Sequence, residues 1–224
     1  MPSHLRPTAP IAPDAILAGD PGRALLLAQE LLTKPKMCNH ARGLWGYSGE
    51  TSAGCPLTIQ STGIGGPSAA LVLKDLATLG LRRAVRVGTA TAFGSDCGLG
   101  GLLAVRGATA TPGSAQAYGA GIDETVPADP ELTARLEAEL GVEGRNATVA
   151  SFDAPPGWQS PPPGVDVADM QTAPLLACAR SLGIRAAALL IVMEIAATDE
   201  RLEKAGLEEA EKRAGWIASG LLST

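Results

Sequence analysis

The stretch Ala15-Ile16-Leu17-Ala18-Gly19-Asp20-Pro21-Gly22-Arg23, running on through Ala24 to Leu32, decides the fold class. Four apolar residues in a row are too few for a helix and end in a tight turn at Gly19-Asp20-Pro21-Gly22. Beyond the turn, apolar residues fall at 25, 26, 27, 28, 31 and 32, which is the spacing of one helical face. Asp20 suits the N-cap, where a carboxylate accepts a free backbone N–H. Pro21 suits the first helical position, because its φ is already helical and its missing N–H would have had no partner. The segment reads as strand, tight turn, helix.

The unit recurs outward from there. Pro56 to Gln60 reads as a strand, Gly63-Ile64-Gly65-Gly66-Pro67 as a turn, and Ser68 to Leu79 as a helix closed by Gly80. Ala84-Val85-Arg86-Val87 is a β run that stops at Gly88, and Leu102 to Val105 is another. Glu131 to Leu140 is a helix opened by Asp129-Pro130 and closed by Gly141. Asn146 to Ser151 and Ala186 to Met193 read as strands, Met170 to Leu182 as a helix with Pro174 in its first turn, and Asp199 to Leu221 as a charged amphipathic helix. Residues 154–164 carry five prolines, which fix φ and remove donors, so no regular element fits there. Alternating strands and helices with no repeat and no dividing linker predict an α/β fold. The expectation is one domain over residues 1–224, with a mixed, largely parallel central sheet flanked by helices.

The chain of 224 residues is 46% apolar, enough for a sizeable core, and carries a net charge of −5. That charge excludes nucleic acid as the main partner, since a phosphate-backbone binder needs a basic face. A small anion is not excluded, because a few arginines in one pocket suffice. No apolar run reaches the roughly 18 residues of a membrane span, and the N-terminus lacks a signal-peptide layout. The expectation is a soluble, cytoplasmic protein without a membrane partner. Cys38, Cys55, Cys97 and Cys178 are scattered without a C-x-x-C, so reduced thiols and no metal site are expected.

Two arginines sit oddly for a structural role. Arg23 falls in the first turn of its helix, where the macrodipole disfavours a cation. An anion at the same helix end would resolve the mismatch; an exposed side chain pointing away would also do so. Arg86 interrupts an apolar strand, and a buried guanidinium needs a carboxylate or a bound phosphate. Ligands of open α/β sheets gather at the carboxyl ends of the strands, where Arg86, Gly88 and Thr89 fall. A structural ion pair is the competing reading.

Taken in order, Gly19-Asp20-Pro21-Gly22-Arg23, Arg42-Gly43-Leu44-Trp45-Gly46-Tyr47-Ser48-Gly49, Gly63-Ile64-Gly65-Gly66-Pro67-Ser68 and Arg86-Val87-Gly88-Thr89 resemble successive blocks of the nucleoside phosphorylases, the purine nucleoside and uridine enzymes. Asp169-Met170-Gln171 falls where that family has Glu-Met-Glu, and Ala186 to Glu194 resembles the strand that ends in the purine enzymes' catalytic acid. The resemblance implies that a nucleoside and inorganic phosphate, without a further cofactor, give a free base and a pentose 1-phosphate. It implies phosphate binding by Gly19, Arg23, Arg86 and Thr89, with Arg42 reaching in from a neighbouring subunit. His4, also from the neighbour, would meet the sugar's 5′ hydroxyl, and Met170 with Gln171 would hold the ribose. Shared sites imply a homo-oligomer, a dimer or a hexamer built as a trimer of dimers.

In such a reaction positive charge develops on the sugar, and phosphate below C1′ stabilises and then captures it. The leaving base must be neutralised, by an acid for a purine or by hydrogen bonds for a pyrimidine. Glu194 is the candidate acid, its pKa expected to rise if it ends an apolar strand unpaired. The chain departs from the family pattern on the sugar and base side. Gln171 replaces a carboxylate, Glu194 replaces an aspartate, and Pro155 stands where an aromatic ring stacks on the base, leaving Phe152 or Trp158 to substitute. Gln159 falls near a uracil-reading glutamine, but Pro161 occupies the place of its arginine partner. A purine is slightly favoured over uridine. The alternatives are a nucleosidase of the same fold, which would not need the arginines, and a non-catalytic nucleoside- or sugar-phosphate-binding homologue.

Overall fold

Strand β1 (Asp14–Ala18) is fully flanked: β4 (Pro56–Ser61) lies parallel on one side and β5 (Arg83–Ala92) parallel on the other. The computed structural model describes residues 2–93, 97–141, 145–155 and 161–223. Beyond β5 runs β10 (Arg185–Ile195), also parallel, and then β6 (Leu102–Ala110), antiparallel to β10. β8 (Arg145–Ser151) follows β6 in parallel, β9 (Val167–Asp169) follows β8, and β9 returns antiparallel to β5. Strands β5, β10, β6, β8 and β9 therefore close into a ring. On the open side, β3 (Gly46–Glu50) and β2 (Thr33–Asn39) extend the sheet past β4 as antiparallel strands. The short β7 (Thr125–Pro127) pairs with β6, and β11 (Glu200–Arg201) with β10.

The sheet is mixed, parallel at its centre, and covered on both faces. Helices α2 (Gly65–Thr78) and α4 (Thr172–Leu182) pack with Ala84, Ala90, Ala188 and Leu190 in one apolar cluster. Helices α1 (Pro21–Leu31), α3 (Pro130–Leu140) and α5 (Lys204–Leu222) pack with Val85, Val87, Leu189 and Ile191 in another. Burial on both faces is why these strands read as continuous apolar runs without alternation.

Helix boundaries follow local chemistry. The Asp20 side chain accepts the Arg23 N–H at 2.8 Å and Pro21 opens α1, as expected. Helix α4 starts at Thr172, two residues later than the apolar pattern suggests, and closes on Gly183 at φ 67°. Helix α5 starts at Lys204, because residues 199–201 turn back to pair with the end of β10. Strands β2 and β3 escape the sequence reading: Lys34-Pro35-Lys36 and the glycines of β3 have no apolar period. Lysine and proline suit an exposed edge strand, where they discourage pairing with another chain.

The N-terminal segment is tied down by one carboxylate. Asp75, buried on α2, accepts the backbone N–H groups of Ser3, His4 and Leu5 at 2.6 to 2.9 Å. Burial pushes its pKa up, but those three N–H groups outweigh burial and hold it below the usual carboxylate range. A lowered folded-state pKa gives stability that is present above the unfolded value of about 4 and lost as pH falls through the folded value. Asp75→Asn is expected to cost on the order of 1–3 kcal/mol at neutral pH. Urea unfolding of both proteins from pH 7 to pH 2 checks this: the difference should shrink below about pH 4.

Candidate active site

A cavity of about 580 Å³ opens at the carboxyl ends of the central strands. Its wall is drawn from the turn after β1 (Gly19 to Arg23), the turn after β4 (Gly63 to Gly65), the end of β5, and the β9–α4 junction at Asp169 to Gln171. This is the location that strand polarity favours for a ligand. Gly63 and Gly65 have φ of 74° and 80°, which lets the chain turn sharply from β4 into α2.

Arg86 forms the floor. It is 4% exposed, and its guanidinium is held from three sides. Nη2 donates to Asp169 Oδ2 at 2.9 Å, Nη1 to Gln171 Oε1 at 2.8 Å, and Nε to the Thr172 hydroxyl at 3.2 Å. Burial pulls its pKa below the usual arginine range, opposed by Asp169 and reinforced by the positive charge of Arg23. The ion pair named as the competing reading thus exists. Asp169 takes one charge, however, and two of the five guanidinium N–H groups have no partner among the described residues.

Gly88, two residues along β5, makes room for this arrangement. A Cβ there would lie 2.5 Å from Arg86 Cζ and Nη2. Gly88→Ala must displace a guanidinium held by three hydrogen bonds, while the strand itself tolerates alanine. The expected outcome is a folded protein whose affinity for inorganic phosphate falls about tenfold or more, an effect the size of one charged hydrogen bond. Titration calorimetry with phosphate, alongside a thermal melt, checks it.

Arg23 is also buried, and the anion at its helix end is a protein group. Nε donates to Glu211 Oε1 at 2.6 Å, and Nη1 lies 3.4 Å from the Val87 carbonyl. Glu211 sits on the buried face of α5 among alanines. Arg23 still lines the cavity, together with Gly19, Thr89 and Met170. Arg42, at φ 60° in the short turn after β2, borders the cavity of its own chain, so contact with that cavity does not require a neighbour. His4 does not reach that cavity: its segment is pinned to Asp75, near the far end of α2. The described lining carries three arginines against Asp20 and Asp169, in a chain of net negative charge. A lining of that composition can accept an anion.

Asp169 and Gln171 organise the floor. Asp169 accepts from Arg86, from the Ser151 hydroxyl at 2.6 Å, and from the backbone and hydroxyl of Thr172. Gln171 accepts from Arg86 and donates through Nε2 to the Gly63 carbonyl at 2.5 Å, linking the arginine to the glycine turn. Sequence reading required a partner for Arg86 without identifying Asp169, and it gave Glu211 no role.

Two expectations are corrected. Glu194 is not an unpaired carboxylate: it pairs with Arg201 at 3.1 Å, the two side chains 19% and 71% exposed. The register of β10 against β5 shifts between Val192 and Glu194, and at this bulge it is Met193 that lines the cavity. Phe152 does not line the cavity; its ring is 3% exposed and packs with Ala150 and Ala168. Gln159 and Trp158 lie outside the described residues. Among the described residues no group of three or more histidines, cysteines or acids could hold a metal, and no helix is long and apolar enough to cross a membrane.

The family model described as the phosphorylase superfamily matches residues 13–223. A purine nucleoside phosphorylase of the DeoD type from Oceanobacillus iheyensis is 35% identical over 123 residues, 54% of this chain and 52% of that enzyme, so this match spans about half its length. Another of the same type, from Geobacillus kaustophilus, is 30% identical over 203 residues, 86% of this chain and 85% of that one. The crystal structure of uridine phosphorylase from Vibrio fischeri superposes with a TM-score of 0.83 over 95% of this chain and 92% of that one, at 24% identity. Because the family model covers residues 13–223, the chain belongs to the phosphorylase superfamily, as a member of the nucleoside phosphorylase family.

Proposed function

We propose that this protein is a pentosyltransferase that splits a nucleoside with inorganic phosphate, releasing the base and a pentose 1-phosphate. The observation that carries this reading is the convergence of Arg23, Arg42 and Arg86 on one cavity at the carboxyl ends of the strands. A nucleosidase, which uses water, has no need of that charge. In this reading phosphate lies between Gly19, Arg23, Arg86 and Thr89, where it can stabilise the cation developing at C1′ and then bond to it. Met170 and Gln171 flank the sugar. His4 can meet a sugar only in an oligomer, since it stays away from its own cavity.

The base is taken to be a purine, in line with the DeoD-type relatives. Glu194 supplies the proton, which requires its pair with Arg201 to open and its carboxyl to turn toward the cavity that Met193 lines when ligand binds. Both partners are accessible enough for the pair to be worth only about 0–1 kcal/mol. Base release from inosine, adenosine, guanosine, uridine and thymidine, with and without phosphate, tests the proposal. Release only with phosphate supports it; release without phosphate means hydrolysis, and binding without release means a binding protein.

A further inference from the structure

Arg23 stands where two forces push it away from the cavity. It lies in the first turn of α1, at the positive end of the helix dipole. Burial lowers the Arg86 pKa and the charge of Arg23 lowers it further, so the two guanidinium groups repel each other. A long cationic side chain so placed gains by swinging its head out to water. It does not do so: Arg23 is 7% exposed.

What holds it inward is Glu211, itself buried on α5. Glu211 Oε1 accepts from Arg23 Nε at 2.6 Å, a charged hydrogen bond shielded from water. Nη1 lies 3.4 Å from the Val87 carbonyl, next to Arg86 on β5. A guanidinium has five N–H groups. Glu211 takes the one on Nε and Val87 one on Nη1, so three on the terminal nitrogens have no partner among the described residues. They belong to a side chain that lines the cavity. The carboxylate thus fixes the stem end of the planar group and leaves the far end for an anion. Docking of α5 on α1 has a separate basis in Gly215, where a Cβ would lie 2.5 Å from Leu27 Cδ2 and 3.3 Å from Leu31 Cδ1.

We propose that Glu211 is a positioning residue for the anion site: from the last helix it keeps Arg23 turned inward, with its terminal nitrogens presented to phosphate. This rests on the phosphorolysis reading, which puts phosphate beside Arg23. Once bound, phosphate supplies the negative charge that Arg23 and Arg86 share. What residue 211 must then supply is an acceptor at the right reach, rather than charge.

The test is titration calorimetry with inorganic phosphate on the full chain, each variant accompanied by a thermal melt. Glu211→Ala is expected to weaken binding about tenfold or more, the worth of one charged hydrogen bond. Because it leaves a buried guanidinium without its partner, two conservative variants carry the comparison. Glu211→Asp keeps the charge but draws the carboxylate back by one methylene, and should lose about 3- to 10-fold. Glu211→Gln keeps an acceptor at the same reach and should stay within about threefold of wild type. Gly215→Ala overpacks α5 against α1 without touching the ion pair. It should lower the melting temperature and leave phosphate affinity within about twofold. In an Arg23→Ala background, Glu211→Ala should bring no further loss, because Glu211 acts through Arg23 alone. Glu211→Asp binding as tightly as wild type, a further loss in the Arg23→Ala background, or an equal loss in Gly215→Ala overturns the proposal. If the wild-type protein itself binds no phosphate, the phosphorolysis reading fails and takes this proposal with it.

Discussion

Arg86→Ala is expected to lower phosphate-dependent base release by about 10²–10³-fold, the usual cost of removing one group that stabilises transition-state charge. The residue is the most buried of the three arginines that line the cavity, and two of its guanidinium N–H groups are uncommitted among the described residues. The same change leaves the Asp169 carboxylate buried without its counter-ion, at a cost of about 3–5 kcal/mol. Activity must therefore be read alongside a thermal melt, at a temperature where the variant is folded. Arg86→Lys separates the two effects. It keeps a charge near Asp169 but cannot reach Asp169, Gln171 and Thr172 together, because an ammonium lacks the planar fork. Stability should recover in large part while activity stays low. A cooperatively folded Arg86→Ala protein that has lost less than about tenfold would remove Arg86 from the anion site.

Much of this site was legible because its chemistry is local. Ala15 to Arg23 shows a strand end, an N-cap and a helix start in nine residues, and the fold follows from the repetition of that unit. Arg86 announced itself by breaking an apolar run. What was not legible depends on residues distant in sequence or on details of register. The partner of Arg86 is 83 residues away, on a three-residue strand with no periodicity of its own. The partner of Arg23 is 188 residues away on the last helix. Strand β5 extends through Gly88, Thr89 and Thr91 because the ring encloses it, although those residues end the apolar pattern. The antiparallel strands β2 and β3 add edges that no hydrophobic period marks. The bulge near Met193 matters most for function. Inside an unbroken apolar run nothing signals a change of register, so a reading that counts along β10 assigns Glu194 to the cavity.

That register shift makes Glu194 the sharpest test of the base side. If it protonates a purine leaving group, Glu194→Gln should cut turnover of inosine or guanosine by about 10²–10⁴-fold, the range of general acid catalysis. A 7-methylated purine nucleoside, whose base already carries a positive charge, should lose far less. Arg201→Ala supplies the internal control. If Glu194 acts on the ligand its pair with Arg201 must open, so removing the guanidinium should leave turnover of inosine unchanged or raise it. Stability should change by less than about 1 kcal/mol, because the arginine is largely exposed. Equal losses on inosine and its 7-methylated counterpart would mean that Glu194 orients the ligand or the end of β10 and transfers no proton. No loss on either would leave Glu194 and Arg201 as a surface pair at the end of a strand. Proton delivery would then have to come from solvent, and uridine, whose departing base can be stabilised by hydrogen bonds alone, would become the favoured substrate.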